Sequence, residues 1–345
     1  MTIAIVILNW NGRQLLERFL PTVLTHAAGA QVYVADNAST DSSVDFLRTH
    51  YPQVSILQNP TNEGYAAGYN RALQQVQADV YCLLNSDVAV TEGWLSPVLK
   101  CFEDPQIAMV QPKILDYKHP THFEYAGAAG GYLDKYGFPY CRGRRLQQVE
   151  EDRGQYDEPS PYPIFWASGA CLFVRSSVFH ALGGFDADFF AHQEEIDLCW
   201  RLHQMGKRIF CFPESYVYHV GGGTLPKSNP RKTFLNFRNN LTMLWKNLPE
   251  DELKHVMRVR WFLDYLAAFQ TLILNHNWGE FKAIFSARRA FKKWRHEFER
   301  LPIRLDGVVK HRENLPSCTN DGRKKYALLW QYYVKGRKFF SSLSE

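Results

Sequence analysis

Residues 1–230 predict an α/β domain built on a doubly wound sheet, and residues 231–345 predict a basic, aromatic-rich helical extension. Three observations carry this. Short continuous apolar runs alternate with helix-periodic segments over the first hundred residues. A polar cluster follows each run at its carboxyl end, where ligands bind in sheets of this kind. Charge is also divided: residues 1–231 hold 18 Lys and Arg against 24 Asp and Glu, and residues 232–345 hold 22 against 11.

The apolar runs Ile3–Leu8, Val32–Ala35, Val54–Leu57 and Val80–Leu84 read as parallel strands covered on both faces. Leu15/Leu16, Phe19/Leu20 and Val23/Leu24 recur every four residues, the stripe of an amphipathic helix, and similar patterns cover Ser42–His50 and Tyr65–Val76. Residues Pro112–Pro163 are rich in Gly, Tyr and Pro, lack periodicity and read as an irregular functional loop. Regular structure resumes with a strand at Ala170–Val174 and helices near Ser176–Leu182 and Gln193–Met205. Two short strands, Arg208–Phe212 and Tyr216–Val220, precede a glycine run, Gly221-Gly222-Gly223.

Composition narrows the function. Hydrophobic residues at 46% and charged residues at 22% exclude a disordered or collagen-like chain. Seven cysteines without a C-x-x-C pair argue against a disulfide framework or zinc ribbon and suit a reducing compartment. The most apolar long stretch, Trp261–Leu274, contains Asp264 and Gln270 and falls short of the roughly 20 residues that span a bilayer. No Walker A pattern and no G-x-G-x-x-G after the first strand are present. A cytoplasmic protein is expected.

Four clusters carry chemistry. Asp36 closes the second strand, where an acceptor takes a hydrogen bond from a base or ribose, whereas Asp41 reads as a helix cap. Asn85-Ser86-Asp87 ends a very apolar strand and reads either as a turn or as a hard-cation site. In Glu194-Glu195-Ile196-Asp197, the crowding of three acids raises a pKa and prepares a general base. Glu195 reads as functional there, while Asp197 and Arg201 have the i,i+4 spacing of a structural ion pair. His219 ends an apolar strand before three glycines and reads as a metal ligand or as a satisfied structural histidine.

In this order, the clusters resemble the inverting nucleotide-sugar glycosyltransferases of family 2, particularly rhamnosyltransferase-like enzymes of bacterial surface-polysaccharide assembly. The matching segments include Asn9-Trp10-Asn11-Gly12, Asp36-Asn37-Ala38-Ser39-Thr40-Asp41, Asn62-Glu63-Gly64-Tyr65, Asn85-Ser86-Asp87, Ser168-Gly169-Ala170, Glu194-Glu195-Ile196-Asp197 and His219-Val220-Gly221-Gly222-Gly223-Thr224. The resemblance implies a GT-A fold, a mixed sheet with flanking helices. It also implies that Asn9, Asn11, Asp36 and Asn37 contact the nucleoside, and that Asn62 and Gly64 line the diphosphate and sugar pocket. Ser168 and Gly169 would flank the sugar. Asp87 would bind Mg²⁺ or Mn²⁺ with His219 as second protein ligand, and Glu195 would be the base. Two positions depart from the family pattern. Asn85 stands where D-x-D has its first Asp, and Glu195 stands where the base is usually Asp, which leaves Glu194 as an alternative base.

The expected partners are a nucleoside-diphosphate sugar donor and a saccharide or lipid-linked acceptor, with no nucleic acid. The basic tail, with Arg288-Arg289-Ala290-Phe291-Lys292-Lys293-Trp294-Arg295, suits peripheral contact with the inner face of the cytoplasmic membrane; packing on the catalytic body with a solvated basic face suits it equally. The alternatives to catalysis by glycosyl transfer are a sugar nucleotidyltransferase, which needs a triphosphate loop not seen early in the chain, and a non-catalytic scaffold of polysaccharide assembly.

Overall fold

Strands β1 (Ile3–Asn9), β2 (Gln31–Asp36), β3 (Ser55–Gln58) and β4 (Val80–Asn85) are parallel and form one half of a nine-stranded sheet. The computed structural model describes residues 1–221, 229–297, 303–305, 308–310 and 323–343, with backbone alone at 296–297, 303–305 and 308–310. Helices α1 (Arg13–Thr25), α2 (Ser43–His50) and α3 (Gly64–Leu73) connect these strands. Successive side chains of a strand face opposite sides, so β1 feeds two cores. Ile3, Ile5 and Ile7 pack with Leu16, Leu20 and Val23 of α1, while Ala4 and Val6 face Tyr69 and Leu73 of α3.

The rest of the sheet is mixed. Beyond β5 (Val88–Val90) and α4 (Leu95–Cys101), the long strand β6 (Ile107–Asp116) begins the second half. Strands β7 (Gly131–Leu133), β8 (Pro139–Cys141), β9 (Arg144–Arg145) and β10 (Gln148–Val149) form a separate four-stranded antiparallel sheet. The chain returns through β11 (Tyr162–Pro163), β12 (Cys171–Arg175), α5 (Ser176–Ala181), α6 (Glu194–Gln204) and β13 (Arg208–His219). The order is β3-β2-β1-β4-β12-β6-β13-β11, with β5 paired to β13.

Two readings of the sequence are corrected here. Residues 112–163 are not an irregular loop; they complete β6 and build the small sheet, whose strands of two or three residues are too short to show a period. Tyr132 and Tyr140, tilted against each other across β7 and β8 with centroids 5.8 Å apart, are both buried on this sheet. The segments 208–212 and 216–220 form one strand, β13, whose register on β6 shifts between Phe212 and Tyr216. Strand β12 runs antiparallel between β4 and β6, which makes the sheet mixed, as the resemblance implied.

Helices α7 (Pro230–Asn247), α8 (Glu250–Ile273) and α9 (Trp278–Glu297) follow, then the ribbon of β14 (Ile303–Leu305) and β15 (Val308–Lys310). Pro230 sits in the first turn of α7, and the Asn229 side chain accepts from the Arg231 amide at 2.8 Å, a good N-cap arrangement. No helix among the described residues is long and apolar enough to cross a membrane.

A buried charge cluster joins α7 to α6. Asp197, fully buried, accepts from Arg201 Nε at 2.9 Å, Lys246 Nζ at 3.0 Å and Asn247 Nδ2 at 2.8 Å. Burial would raise its pKa, but Lys246 and Arg201 together hold it below the ordinary value. Removing one partner from such a cluster strands the others without their counter-charge. Asp197→Ala is therefore expected to lose about 3–5 kcal/mol in denaturant unfolding. Arg48→Ala, which breaks an exposed pair with Asp45 at 3.8 Å, should change stability by no more than about 0.5 kcal/mol.

Candidate active site

The carboxyl ends of β1 and β2 are adjacent in register, Asn9 opposite Asp36, which brings the first two polar clusters together. Asn9 Nδ2 donates to Asp36 Oδ1 at 3.1 Å and to Ser39 Oγ at 3.2 Å. Asp36 Oδ2 accepts from the Ser39 amide at 3.0 Å. Each carboxylate oxygen can accept more than one hydrogen bond, so Asp36 keeps capacity for a ligand. Asn11 has a left-handed backbone (φ 51°), and its Oδ1 accepts from the amides of Thr40 and Asp41 at 2.7 and 3.2 Å. Asp41 in turn accepts from the amides of Ser43 and Arg13, at the starts of α2 and α1, in keeping with its reading as a cap.

Asn37 and Asn62 act on the protein itself. Asn37 Nδ2 donates to Asn62 Oδ1 at 2.9 Å and to the Gly64 carbonyl at 3.0 Å, while Asn37 Oδ1 accepts from Asn59. The Gly64 amide donates to Asn62 Oδ1 at 3.0 Å. Gly64 itself is constrained on two counts: its φ is +88°, and a Cβ there would lie 2.4 Å from the Phe190 carbonyl oxygen. That carbonyl accepts the Tyr65 and Ala66 amides at 2.6 and 3.2 Å, closing the start of α3.

The other polar side chains continue the circuit. The Tyr65 hydroxyl donates to the Gly169 carbonyl at 2.8 Å. Ser168 is buried, its amide donating to Gln111 Oε1 at 2.7 Å, and its Oγ accepts the Ala170 amide. The Asn85 amide donates to the Ala170 carbonyl at 3.0 Å, tying this loop to the end of β4. Two residues on, Asp87 Oδ1 lies 3.1 Å from His219 Nε2, because β13 pairs His219 with Val88 of β5. On the other side of the imidazole, Nδ1 stands 3.5 Å from Glu124 Oε1 without forming a hydrogen bond. Burial disfavours the charged ring, yet the flanking Asp87 and Glu124 push its pKa up to about 10. Because the carboxylates sit on opposite sides of the ring, the three groups do not converge, and no set of three or more His, Cys, Asp or Glu among the described residues is arranged to hold a metal ion.

Glu194 and Glu195 open α6. The residues before them are held in positive φ, with Phe190 at 63°, His192 at 71° and Gln193 at 74°, a conformation that costs energy in non-glycine residues. Asn239 of α7 holds this turn: its Nδ2 donates to the carbonyls of Phe189, Ala191 and His192 at 2.9, 2.8 and 2.7 Å. Burial, and then the Glu195 charge, push Glu194 well above the usual carboxylate range. Burial raises Glu195 to about 7, with helix-terminal amides pulling the other way. Both carboxyl groups bear on Tyr65, and Cys141 lies in electrostatic reach of both Glu124 and Glu195. Direct geometry links Asp87 to His219 and His219 to Glu124, and separately joins Tyr65 to the Gly169–Ala170 loop that meets the end of β4.

Of the twelve buried side-chain polar atoms without a hydrogen-bond partner among the described residues, six belong to the residues of this site. Asn9 Oδ1, Asn59 Oδ1, His192 Nε2, Glu194 Oε2, Glu195 Oε2 and His219 Nδ1 are all of this kind. Unpaired buried groups are costly, so such a set marks a place kept for a ligand. Sequence reading missed Glu124, which belongs to no motif, and Asn239. The adjacent pair Asn239-Asn240 in a helix interior was the available signal, since asparagine there needs a specific partner. Gly222, Gly223 and Thr224 lie outside the described residues.

Comparisons with known proteins agree with this architecture. The model of glycosyl transferase family 2 matches residues 4–158. The pre-mycofactocin glycosyltransferase of Mycobacterium tuberculosis is 30% identical over 219 residues, covering 62% of this chain but 43% of that protein. The N-acetylglucosaminyl-diphospho-decaprenol L-rhamnosyltransferase of the same organism is 30% identical over 224 residues, covering 59% of this chain and 71% of that protein. Among solved structures, GalNAc-T7 with UDP, GalNAc and Mn²⁺ superposes with a TM-score of 0.57 at 17% identity, over 86% of this chain and 56% of that one. The Pyrobaculum calidifontis mannosyltransferase PcManGT, with GDP-Man and Mn²⁺, gives 0.52 at 13% identity, over 85% and 87%. With a GT-A sheet, these motifs in order and relatives at this level of identity, the chain belongs to glycosyltransferase family 2.

Proposed function

We propose that the protein transfers a glycosyl group from a nucleoside-diphosphate sugar to an acceptor hydroxyl with inversion at the anomeric carbon, and that Glu195 is the base. The observation that carries this is the carboxyl pair at the start of α6, with Glu195 raised to about 7 and one of its oxygens buried and unpartnered. A base with a pKa near the working pH is the efficient choice for removing a hydroxyl proton. In the displacement, the acceptor oxygen attacks the anomeric carbon as Glu195 takes its proton. The bond from that carbon to the diphosphate breaks, its electron pair leaving with the phosphate oxygen. Glu194, more strongly raised, stays protonated and keeps a second negative charge away from the base.

Asn9, Asn11 and Asp36 are assigned to the nucleoside, with Asn37 and Asn62 shaping the pocket beside Gly64. Asn85, Ser168 and Gly169 are assigned to the sugar side. Asp87 and His219 would hold Mg²⁺ or Mn²⁺. A carboxylate 3.1 Å from an imidazole nitrogen is a donor pair that would suit such a cation, which would bind in place of a proton. When bound, the cation neutralises the departing diphosphate. Glu124 then orients the imidazole from behind. The rhamnosyltransferase relative supports a deoxyhexose such as rhamnose as the donor sugar and a lipid-diphosphate-linked saccharide as acceptor.

Nucleoside diphosphate release should be measured with UDP-, GDP- and dTDP-sugars, Mn²⁺ and a prenyl-diphosphate-linked saccharide. Glu195→Gln should lower the rate by about 10²–10⁴-fold while donor binding persists. Absence of release from every donor by the wild-type protein would favour a non-catalytic scaffold instead.

The same substitution has a thermodynamic signature. In the folded state, Glu195 titrates near 7 against an ordinary value of 4.5, so the folded protein holds a proton that the unfolded chain has released between those values. Stability therefore falls as pH rises through this window and the cost is complete above it. Glu195→Gln should melt at a higher temperature than wild type at about pH 8, with the difference closing at about pH 4.

A further inference from the structure

We propose that the face formed by α8 and α9 docks the protein on an anionic bilayer surface. Helix α8 buries one narrow stripe, Leu253, Val256, Arg260, Asp264 and Ala268. Its opposite stripe, Phe262, Leu266, Phe269 and Ile273, repeats at helical spacing and is exposed at 61%, 55%, 48% and 64%. Monomeric proteins rarely leave so continuous an apolar surface in water without a use for it.

Cations edge that surface. On α9, Trp278, Lys282, Phe285, Arg289 and Lys292 follow one another along a single stripe, mixing rings with positive charge. A groove of about 980 Å³ runs between the two helices, floored by Trp261, Tyr265, Phe281 and Phe285 and flanked by Arg258 and Lys282. Among the described residues no carboxylate lies within ion-pair distance of Arg258, Lys282, Arg289 or Lys292, whereas Arg288 is neutralised by Asp264 at 2.5 Å. Aromatic and aliphatic groups at acyl depth, with cations at headgroup level, are the requirements of a helix pair lying in a membrane interface.

Charge decides between occupants. A second copy would bring an equally positive face, since residues 232–345 carry 22 Lys and Arg against 11 Asp and Glu. Nucleic acid would use the cations and rings but leave Leu266, Ile273 and Leu274 in water. An anionic bilayer uses both kinds of group.

The test is sedimentation of the full chain with vesicles of phosphatidylcholine alone or with phosphatidylglycerol at roughly three to one. Binding is expected to the anionic vesicles and to weaken with salt. The double variant Arg289→Glu, Lys292→Glu should lose about thirtyfold or more in affinity. Phe262→Ser with Ile273→Ser should lose about tenfold and keep the salt dependence. All four positions are exposed, and unchanged melting temperatures would confirm intact folding of both variants. Absence of binding, equal binding to neutral vesicles, or variants that bind like wild type would overturn the proposal. So would concentration-dependent self-association abolished by Phe262→Ser with Ile273→Ser, or tighter binding to a DNA oligonucleotide. Donor cleavage without vesicles reads the catalytic proposal separately, so neither failure can be mistaken for the other.

Discussion

A single side-chain amide sets the geometry on which the candidate site depends. Asn239 Nδ2 has two protons and meets three carbonyls, those of Phe189, Ala191 and His192. Those carbonyls converge where Phe190 and His192 adopt positive φ, in the turn that leads directly into α6. The turn is unfavourable on its own for residues with a Cβ, so the hydrogen bonds from α7 stabilise what local preference would undo. The Asp197 cluster one turn further on fixes α7 against α6, so the amide is itself held in place.

Electrostatics follows from the same arrangement. The helix amides at the start of α6 favour a carboxylate, yet burial opposes it more strongly, and Glu195 ends at about 7. Across the site the opposite case holds, with His219 between two carboxylates and shifted upward. One end of the site therefore retains a proton through burial and the other through paired negative charge.

Much of the fold was legible because β1 to β4 are continuous apolar runs with helices of clean period between them. The clustered acids at 194–197 were legible for a similar reason, since unusual local composition needs no tertiary context. What escaped reading depends on distance in sequence. Glu124 acquires meaning only when β13 delivers His219 beside it, 95 residues later. The antiparallel direction of β12 leaves no trace in Cys171–Val174, because a strand buried on both faces has the same apolar run in either direction. In α8 the apolar stretch Trp261–Leu274 was legible only as too short to span a bilayer; that its buried stripe contains the Arg260–Asp264 pair while its rings face outward depends on packing.

The contact at Gly64 has a wider effect. The Phe190 carbonyl that caps α3 belongs to the turn that launches α6, and there is no room between them for a methyl group. The two helix starts are therefore tied to each other, and on the proposed assignment the pocket beside Gly64 and the proposed base at Glu195 are not independent. A change that widens one also displaces the other, so variants selected for a bulkier sugar should arrive with altered turnover as an unsought companion.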